Sequence, residues 1–195
     1  KIPNSIIALE TGVINDDSTL IEWAGKARRM AAWEQDLIFR DAFKFSCVPC
    51  YQEIAREVGP ERMNTYLNSL DYGDMIVDSS DIDLFWLEGE SKINQFQQIN
   101  FLNRLYNSTL GISDHTTDIM RKLMFIYETE IFSIYGKTGW SIRHGNNNGW
   151  FVGYIETKGE TYFIATNINP KEEFNMDMFG KIRIMISYKA FEELG

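Results

Sequence analysis

Apolar residues recur at helical spacing through the first two thirds of the chain. In the opening stretch, Ile2, Ile6, Leu9 and Val13 share one face and a glycine stands near its end. This pattern predicts a helix that begins before residue 1. Four further stretches have the same periodicity, the second with a proline suited to a first helical position, and predict helices over 41–59, 60–70, 94–110 and 113–125.

After residue 130 the pattern changes to β-branched and aromatic runs. Strands are predicted over 131–143, 149–157 and 161–168, separated by the turn-forming stretches HGNNN and KGE. A last helix is predicted over 179–195. Helices followed by an antiparallel meander and a terminal helix indicate an α+β domain with the sheet packed on helices.

Composition supports one folded domain and narrows the class of partner. The chain has 195 residues, is 44% hydrophobic, and shows neither a fixed-period repeat nor a linker-like break. With 28 acidic against 19 basic residues the net charge is −9, which disfavours nucleic acid and anionic membrane surfaces as partners. No apolar run approaches the roughly 20 residues of a membrane span. The sequence leaves the oligomeric state open.

The only two cysteines stand in the stretch SCVPC, as Cys47 and Cys50. A Cys-x-Pro-Cys pair at a helix start is typical of a thioredoxin-like dithiol, but that fold requires a strand directly before it. A structural zinc would need a second Cys/His pair. We therefore favour two small, buried apolar side chains, and we predict no metal site at His115 or His144.

Residues 137–140 read Lys-Thr-Gly-Trp inside the first predicted strand. A cation and a hydroxyl beside a glycine that permits close approach could hold an anionic, carbonyl-bearing ligand. Taken alone, the tripeptide is a weak signal, because a solvated lysine beside a turn has the same letters.

The wider context strengthens this signal. In order along the chain, the sequence resembles the class D (oxacillinase-type) serine β-lactamases in the motifs KIPNS at 1–5, SCV at 46–48, YGD at 72–74, FWLEG at 85–89 and KTGW at 137–140, followed by GWFVGYIE. The resemblance covers essentially the whole chain. It implies a β-lactamase/penicillin-binding (serine transpeptidase-like) fold, hydrolysis of β-lactam antibiotics through an acyl-serine intermediate, and a periplasmic or secreted bacterial location.

The resemblance also implies that residues precede this chain. The family carries Ser-x-x-Lys, and Lys1 corresponds to its lysine, so the nucleophilic serine and the N-terminal strands would lie before residue 1. We therefore expect the 195 residues alone to be inactive as an enzyme.

Catalytic roles follow from the same resemblance. Lys1 corresponds to the general base, which in the family is carboxylated by carbon dioxide, with no other cofactor. Trp86 corresponds to the indole that holds this group, and Ser46 to the serine that relays protons. Val48 and Leu87 correspond to the apolar pair above the lysine. Ordinary structural roles stay open for each: a solvated lysine, a core tryptophan, a helix-capping serine and core apolar residues.

The substrate side is assigned in the same way. Lys137, Thr138 and Gly139 correspond to the substrate-facing strand, and the backbone N–H of Trp140 to one oxyanion donor. Counting back from the chain end, Arg183 corresponds to the arginine that pairs with the β-lactam carboxylate, a task that suits a bidentate guanidinium.

One motif departs from the family pattern. Tyr72 matches the tyrosine of Tyr-Gly-Asn, but Asp74 replaces the asparagine. An added negative charge near the site could weaken the binding of an anionic substrate. The turn could equally be mainly structural.

Two other functions remain open at this stage. The sensor domains of β-lactam-responsive membrane receptors share these motifs but keep the acyl group instead of releasing it. A dithiol oxidoreductase acting through Cys47 and Cys50 would need a thiol of low pKa.

Overall fold

A helical region precedes a four-stranded sheet and a final helix. The computed structural model describes residues 1–143, 145–171 and 174–194. Its helices are α1 Ile2–Glu10, α2 Phe39–Lys44, α3 Val48–Val58, α4 Pro60–Ser69, α5 Gln95–Tyr106, α6 Asp114–Met124 and α7 Met176–Leu194, with a 3₁₀ turn at Ala31–Trp33. Its strands are β1 Leu20–Ile21, β2 Leu37–Ile38, β3 Phe125–Glu128, β4 Phe132–Arg143, β5 Asn146–Thr157 and β6 Thr161–Ile168.

The main sheet has the order β3-β4-β5-β6, and every neighbouring pair is antiparallel. In the β4–β5 hairpin, Phe132 pairs with Thr157 at one end and Arg143 with Asn146 at the other. Gly145 in the turn has φ 79°, a conformation that glycine adopts without steric cost. The register places Lys137 opposite Val152, in the middle of the sheet.

The two faces of this sheet pack on different elements. Tyr135 and Tyr154 join the large core that α1 to α6 build, whereas the neighbouring Ile134 and Ile155 join a smaller cluster with Phe191 of α7. This alternation follows from the two-residue period of a strand. The α+β fold with an antiparallel sheet packed between helices is therefore confirmed.

Several predicted boundaries are wrong. The helix predicted over 41–59 is two helices, α2 and α3, because residues 45–47 leave the helical path. Helix α1 ends at Glu10, so Val13 lies outside it, and α5 ends at Tyr106 rather than at 110. The sequence prediction missed β3, and β5 begins at Asn146 rather than 149.

The two cysteines are bonded to each other, which the sequence did not predict. Cys47 and Cys50 are joined by a disulfide with an S–S distance of 2.00 Å, and both are 0% exposed. The predicted burial of both side chains is confirmed, and the disulfide settles the redox state that the sequence left open. The pair follows helix α2 rather than a strand, so the local arrangement is not that of a thioredoxin.

Candidate active site

A cavity of about 750 Å³ lies where the start of α1 meets the segment 72–98 and strands β4 and β5. Three lysines line it, Lys1, Lys92 and Lys137, and none of the described lining residues is an aspartate or glutamate. The cavity is thus electropositive in a protein whose net charge is −9. Such a site favours an anionic ligand.

Strand β4 brings Lys137 into this cavity and against the helical region. Its Nζ donates to Ser46 Oγ at 2.6 Å and to Thr138 Oγ1 at 3.3 Å. Lys137 is only 8% exposed. Burial, with Lys1 and Arg183 nearby as like charges, lowers the pKa of Lys137 to about 7. A buried lysine of this kind can gain or lose a proton at neutral pH, and the serine hydroxyl is its direct partner.

Lys1 lies at the N-cap of α1, on the wall of the same cavity. Its Nζ is 5.5 Å from the ring centroid of Tyr51, whose hydroxyl lies 2.6 Å from Ser5 Oγ. Burial lowers the pKa of the Lys1 side chain to about 8. About a tenth of this amine is therefore neutral at pH 7, far more than for an ordinary lysine, and the neutral form is the one that acts as a base or nucleophile.

Trp86 places an indole N–H at this cavity. The ring packs edge-on against Phe85 at 5.0 Å, and Nε1 is buried without a hydrogen-bond partner in the described parts of the chain. A buried donor without an acceptor is costly, so it marks a place for an acceptor that binds there. A carboxylate oxygen is one acceptor that fits this donor chemically.

Two polar residues that the sequence analysis missed line the cavity as well. Asn4 is 1% exposed, and neither atom of its amide has a partner among the described residues. Gln98 donates to the Tyr72 hydroxyl at 2.9 Å, while its Oε1 is buried and unpartnered within the same described ranges. The available signal for Asn4 was a polar residue one turn after Lys1 in a mostly apolar helix.

Helix α7 brings Arg183 to the back of β4. Its guanidinium donates to the Gly139 carbonyl, and Nε donates to the Gly180 carbonyl at 3.3 Å. The guanidinium carbon is 5.6 Å from the ring centroid of Trp140, which lines the cavity. Arg183 thus lies beside the predicted substrate strand, and burial lowers its pKa.

The remaining predicted residues divide between the cavity and its surroundings. Leu87, Thr138 and Gly139 line the cavity, whereas Val48 packs against the large core. Tyr72 also lines the cavity, and burial raises its pKa to about 12, so its hydroxyl stays neutral.

The side chain of Asp74 is exposed, and its backbone pairs with that of Lys92 at 2.8 and 2.9 Å. Asp74 does not line the cavity, although Tyr72 of the same turn does, and this placement favours the interpretation of the departure as mainly structural. His144 lies outside the described residues.

Comparisons with known proteins agree with this fold. The sequence family described as the penicillin binding protein transpeptidase domain matches residues 1–189. The chain is 40% identical over 181 residues to beta-lactamase OXA-10 of Pseudomonas aeruginosa, covering 91% of this chain and 68% of that protein. It is 38% identical over 169 residues to beta-lactamase OXA-48 of Klebsiella pneumoniae, and this match covers 87% of this chain and 63% of that protein.

A solved structure extends the likeness to the backbone. The class D beta-lactamase YbXI from Nostoc superposes with a TM-score of 0.94 and 40% identity, covering 100% of this chain and 80% of that one. The chain belongs to the transpeptidase-domain family and, within it, to the class D β-lactamases. It spans about two thirds of the length of the two curated relatives, 68% and 63%.

None of the helices in the described ranges combines the length and apolarity that a membrane crossing needs.

Proposed function

We propose that the full-length protein hydrolyses β-lactam antibiotics through an acyl-serine intermediate, with the nucleophilic serine three residues before Lys1. The observation that carries this proposal is the electropositive cavity, in which Lys137 is buried, Lys1 is half-buried, and both have pKa values lowered toward neutrality. Acyl transfer needs groups that exchange protons at neutral pH and cations that hold an anionic substrate. The family membership supports the same reaction.

The Ser46–Lys137 pair supplies the proton path in this proposal. Lys137 holds Ser46 Oγ at 2.6 Å, so a proton can pass between the hydroxyl and the amine without either group moving far. We assign this pair to protonation of the leaving nitrogen. We place the substrate carboxylate at the part of the cavity that Trp140 lines, with Arg183 outside the lining and 5.6 Å from the Trp140 ring centroid.

Lys1 is proposed as the residue that becomes carboxylated by carbon dioxide. A carboxylated lysine supplies an anionic general base. The lowered pKa of Lys1 keeps part of the amine neutral, as reaction with carbon dioxide requires, and the unpartnered Trp86 N–H offers a donor for the carboxyl group.

The decisive experiment combines turnover and intact mass. We expect the full-length protein to hydrolyse the chromogenic cephalosporin nitrocefin and to show only a transient acyl adduct. The 195-residue chain alone is the control, because none of its serines stands three residues before a lysine. A persistent adduct without turnover would overturn the hydrolase proposal in favour of a β-lactam sensor. The absence of both turnover and adduct would overturn both.

Carboxylation is tested separately by ¹³C NMR with labelled bicarbonate. We expect a carbamate signal that Lys1→Arg abolishes and Trp86→Phe weakens, since the variant removes the donor. Trp23→Phe is the matched control, because the Trp23 indole donates to the Lys26 carbonyl, away from the cavity. An undiminished signal in Trp86→Phe would contradict the role of Trp86.

We further propose a periplasmic or secreted bacterial location and a small β-lactam as the ligand. The Cys47–Cys50 disulfide supports this location, because disulfides persist mainly in oxidising compartments. Fractionation of the native host with an antibody against the protein tests it, and recovery in the cytoplasm would contradict it.

A further inference from the structure

Ser46 lies at the junction of two helices in a conformation that non-glycine residues seldom adopt. Its φ is 53°, and helix α2 ends around it in a Schellman arrangement. The Cys47 N–H donates to the Ala42 carbonyl at 2.9 Å, and the Ser46 N–H to the Phe43 carbonyl at 3.1 Å. Left-handed non-glycine residues persist only where the surrounding structure holds them.

The residues on either side of Ser46 are both held. On one side, the Trp33 indole donates to the Phe45 carbonyl at 3.1 Å. On the other, Cys47 is the N-cap of α3, and its sulfur is bonded to Cys50 in the first turn of that helix. The disulfide therefore closes a four-residue ring that starts directly after Ser46.

Arg28 packs against this ring from outside. Its Nη1 lies 3.8 Å from Cys50 Sγ and 4.0 Å from Cys47 Sγ, and the same atom donates to the Trp33 carbonyl at 2.8 Å. Arg28 also pairs with Glu53 at 3.3 Å, and its side chain is 7% exposed. The cystine is thus part of one packed unit with the segment that precedes Ser46.

We propose that Cys47 and Cys50 are positioning residues, whose disulfide holds the Ser46 hydroxyl at the Lys137 amine. The proposal rests on the proposed function for the role of that pair in the reaction. Ser46 bridges the helical region to strand β4 through one hydrogen bond, so a small shift of its backbone breaks the contact. The disulfide begins at Cys47, the residue next to Ser46, so it restrains the Ser46 backbone directly.

Loss of the disulfide should then alter the titration of Lys137. The Ser46 oxygen accepts a hydrogen bond from Lys137 and so favours the charged amine. Thr138 Oγ1 is the other hydrogen-bond acceptor, Lys1 and Arg183 are the charged groups that face Lys137, and the Phe43 ring lies 5.3 Å from its Nζ. The Ser46 acceptor is lost whether Lys1 is an amine or, as proposed above, carboxylated and anionic, so a displaced Ser46 leaves the Lys137 ammonium less supported and lowers its titration midpoint.

The experiment follows Lys137 by ¹³C NMR in full-length protein that carries [¹³Cε]lysine. The signal is assigned by its absence in Lys137→Arg. The main variant is Cys47→Ser with Cys50→Ala, because serine keeps a capping oxygen for α3 and carries no titratable thiol. Cys47→Ala with Cys50→Ala is a second variant in case the first fails to fold. Ser46→Ala gives the shift expected when the hydroxyl is lost entirely.

We expect the cysteine variants to lower the Lys137 midpoint by about half a pH unit, toward that of Ser46→Ala. Leu105→Ala, a core truncation in α5, should reduce stability without moving the midpoint. An unchanged midpoint in a folded cysteine variant would overturn the proposal and leave the disulfide a stabilising role alone. The Lys137 midpoint is measured without turnover, so this test does not depend on the hydrolase proposal. Failure of the hydrolase proposal would appear instead as absent acylation in the unaltered protein.

Discussion

Arg183 shows how one side chain can serve both the fold and the site. It donates to the Gly139 carbonyl of β4 and lies over the Trp140 ring, while its charge acts on Lys137. A cation held in this way is oriented in advance for a carboxylate, with little entropy left to lose on binding.

Replacing Arg183 by alanine should lower the second-order rate constant of acylation about tenfold or more, because a cation beside the substrate carboxylate is lost. Arg183→Lys should recover only part of the loss, since lysine cannot bind a carboxylate in bidentate fashion. Stopped-flow acylation of the full-length protein measures the effect. Arg40→Ala, which breaks an exposed ion pair with Asp17, should leave the rate unchanged. An unaltered rate in Arg183→Ala would remove this residue from the substrate side.

At the residue scale, the sequence predicts which residues belong to the candidate site better than it predicts which residues they contact. Lys137, Trp86 and Lys1 were recognisable from short motifs in a fixed order. The contact of Lys137 with Ser46 spans 91 positions and depends on how the sheet packs on the helices. Asn4 was missed for the same reason, because burial without a partner is a tertiary property that its letter does not carry.

At the scale of elements, the β4–β5 hairpin depends on two facing glycines. Gly153 pairs with Gly136, and a Cβ added to Gly153 would lie 2.2 Å from the Tyr135 carbonyl oxygen and 2.9 Å from the Gly136 Cα. Both clashing atoms belong to the backbone of β4, so a change of side-chain rotamer cannot relieve the clash. The hairpin needs this glycine to keep β4 at its normal spacing.

Gly153→Ala should therefore destabilise the protein by about 1–3 kcal/mol, the usual cost of overpacking. Gly159→Ala is the matched control, because a Cβ there meets nothing within 4 Å. Urea unfolding of the two variants measures the difference. Equal midpoints would show that β4 and β5 can separate locally at little cost.

Strand positions were predictable because β-branched and aromatic residues dominate both sides of the turns, whereas the break between α2 and α3 was not. The letters from 41 to 59 have helical spacing throughout, and the interruption comes from a serine that takes a conformation usual for glycine. Short strands such as β1 and β2, two residues each, carry too few positions for any period to register.

For the whole molecule, two lysines with lowered pKa values, Lys137 and Lys1, make stability depend on pH. The pKa of Lys137 is about 7 in the folded protein and about 10.4, the ordinary lysine value, in the unfolded chain. Between these values the unfolded chain binds more protons, so the free energy of unfolding rises with pH. Lys1, with a pKa of about 8, acts in the same direction. Tyrosines whose pKa is raised by burial, such as Tyr51, act in the opposite direction only above about pH 10.

Lys137→Met should flatten this rise and make the protein more stable at pH 7, because a buried cation is removed. Between pH 7 and 9.5 the free energy of unfolding should rise in the unaltered protein. We expect this rise to exceed the rise in Lys137→Met by on the order of 1 to 3 kcal/mol. Urea unfolding at the two pH values measures it, with the exposed Lys122→Met as control. The same pH dependence in both proteins would contradict a lowered pKa at Lys137.

The basic cavity of this acidic protein also affects how fast an anion is captured. At low ionic strength, where the Debye length is long, an approaching anion meets the repulsion of the net charge of −9, and only close to the mouth do the lysines attract it; at physiological ionic strength the Debye length is about 8 Å and most of that distant repulsion is screened. Added salt should therefore accelerate the encounter by weakening that outer barrier, the reverse of ordinary electrostatic steering. Capture would be slowest in dilute buffer, where the distant carboxylates are least screened.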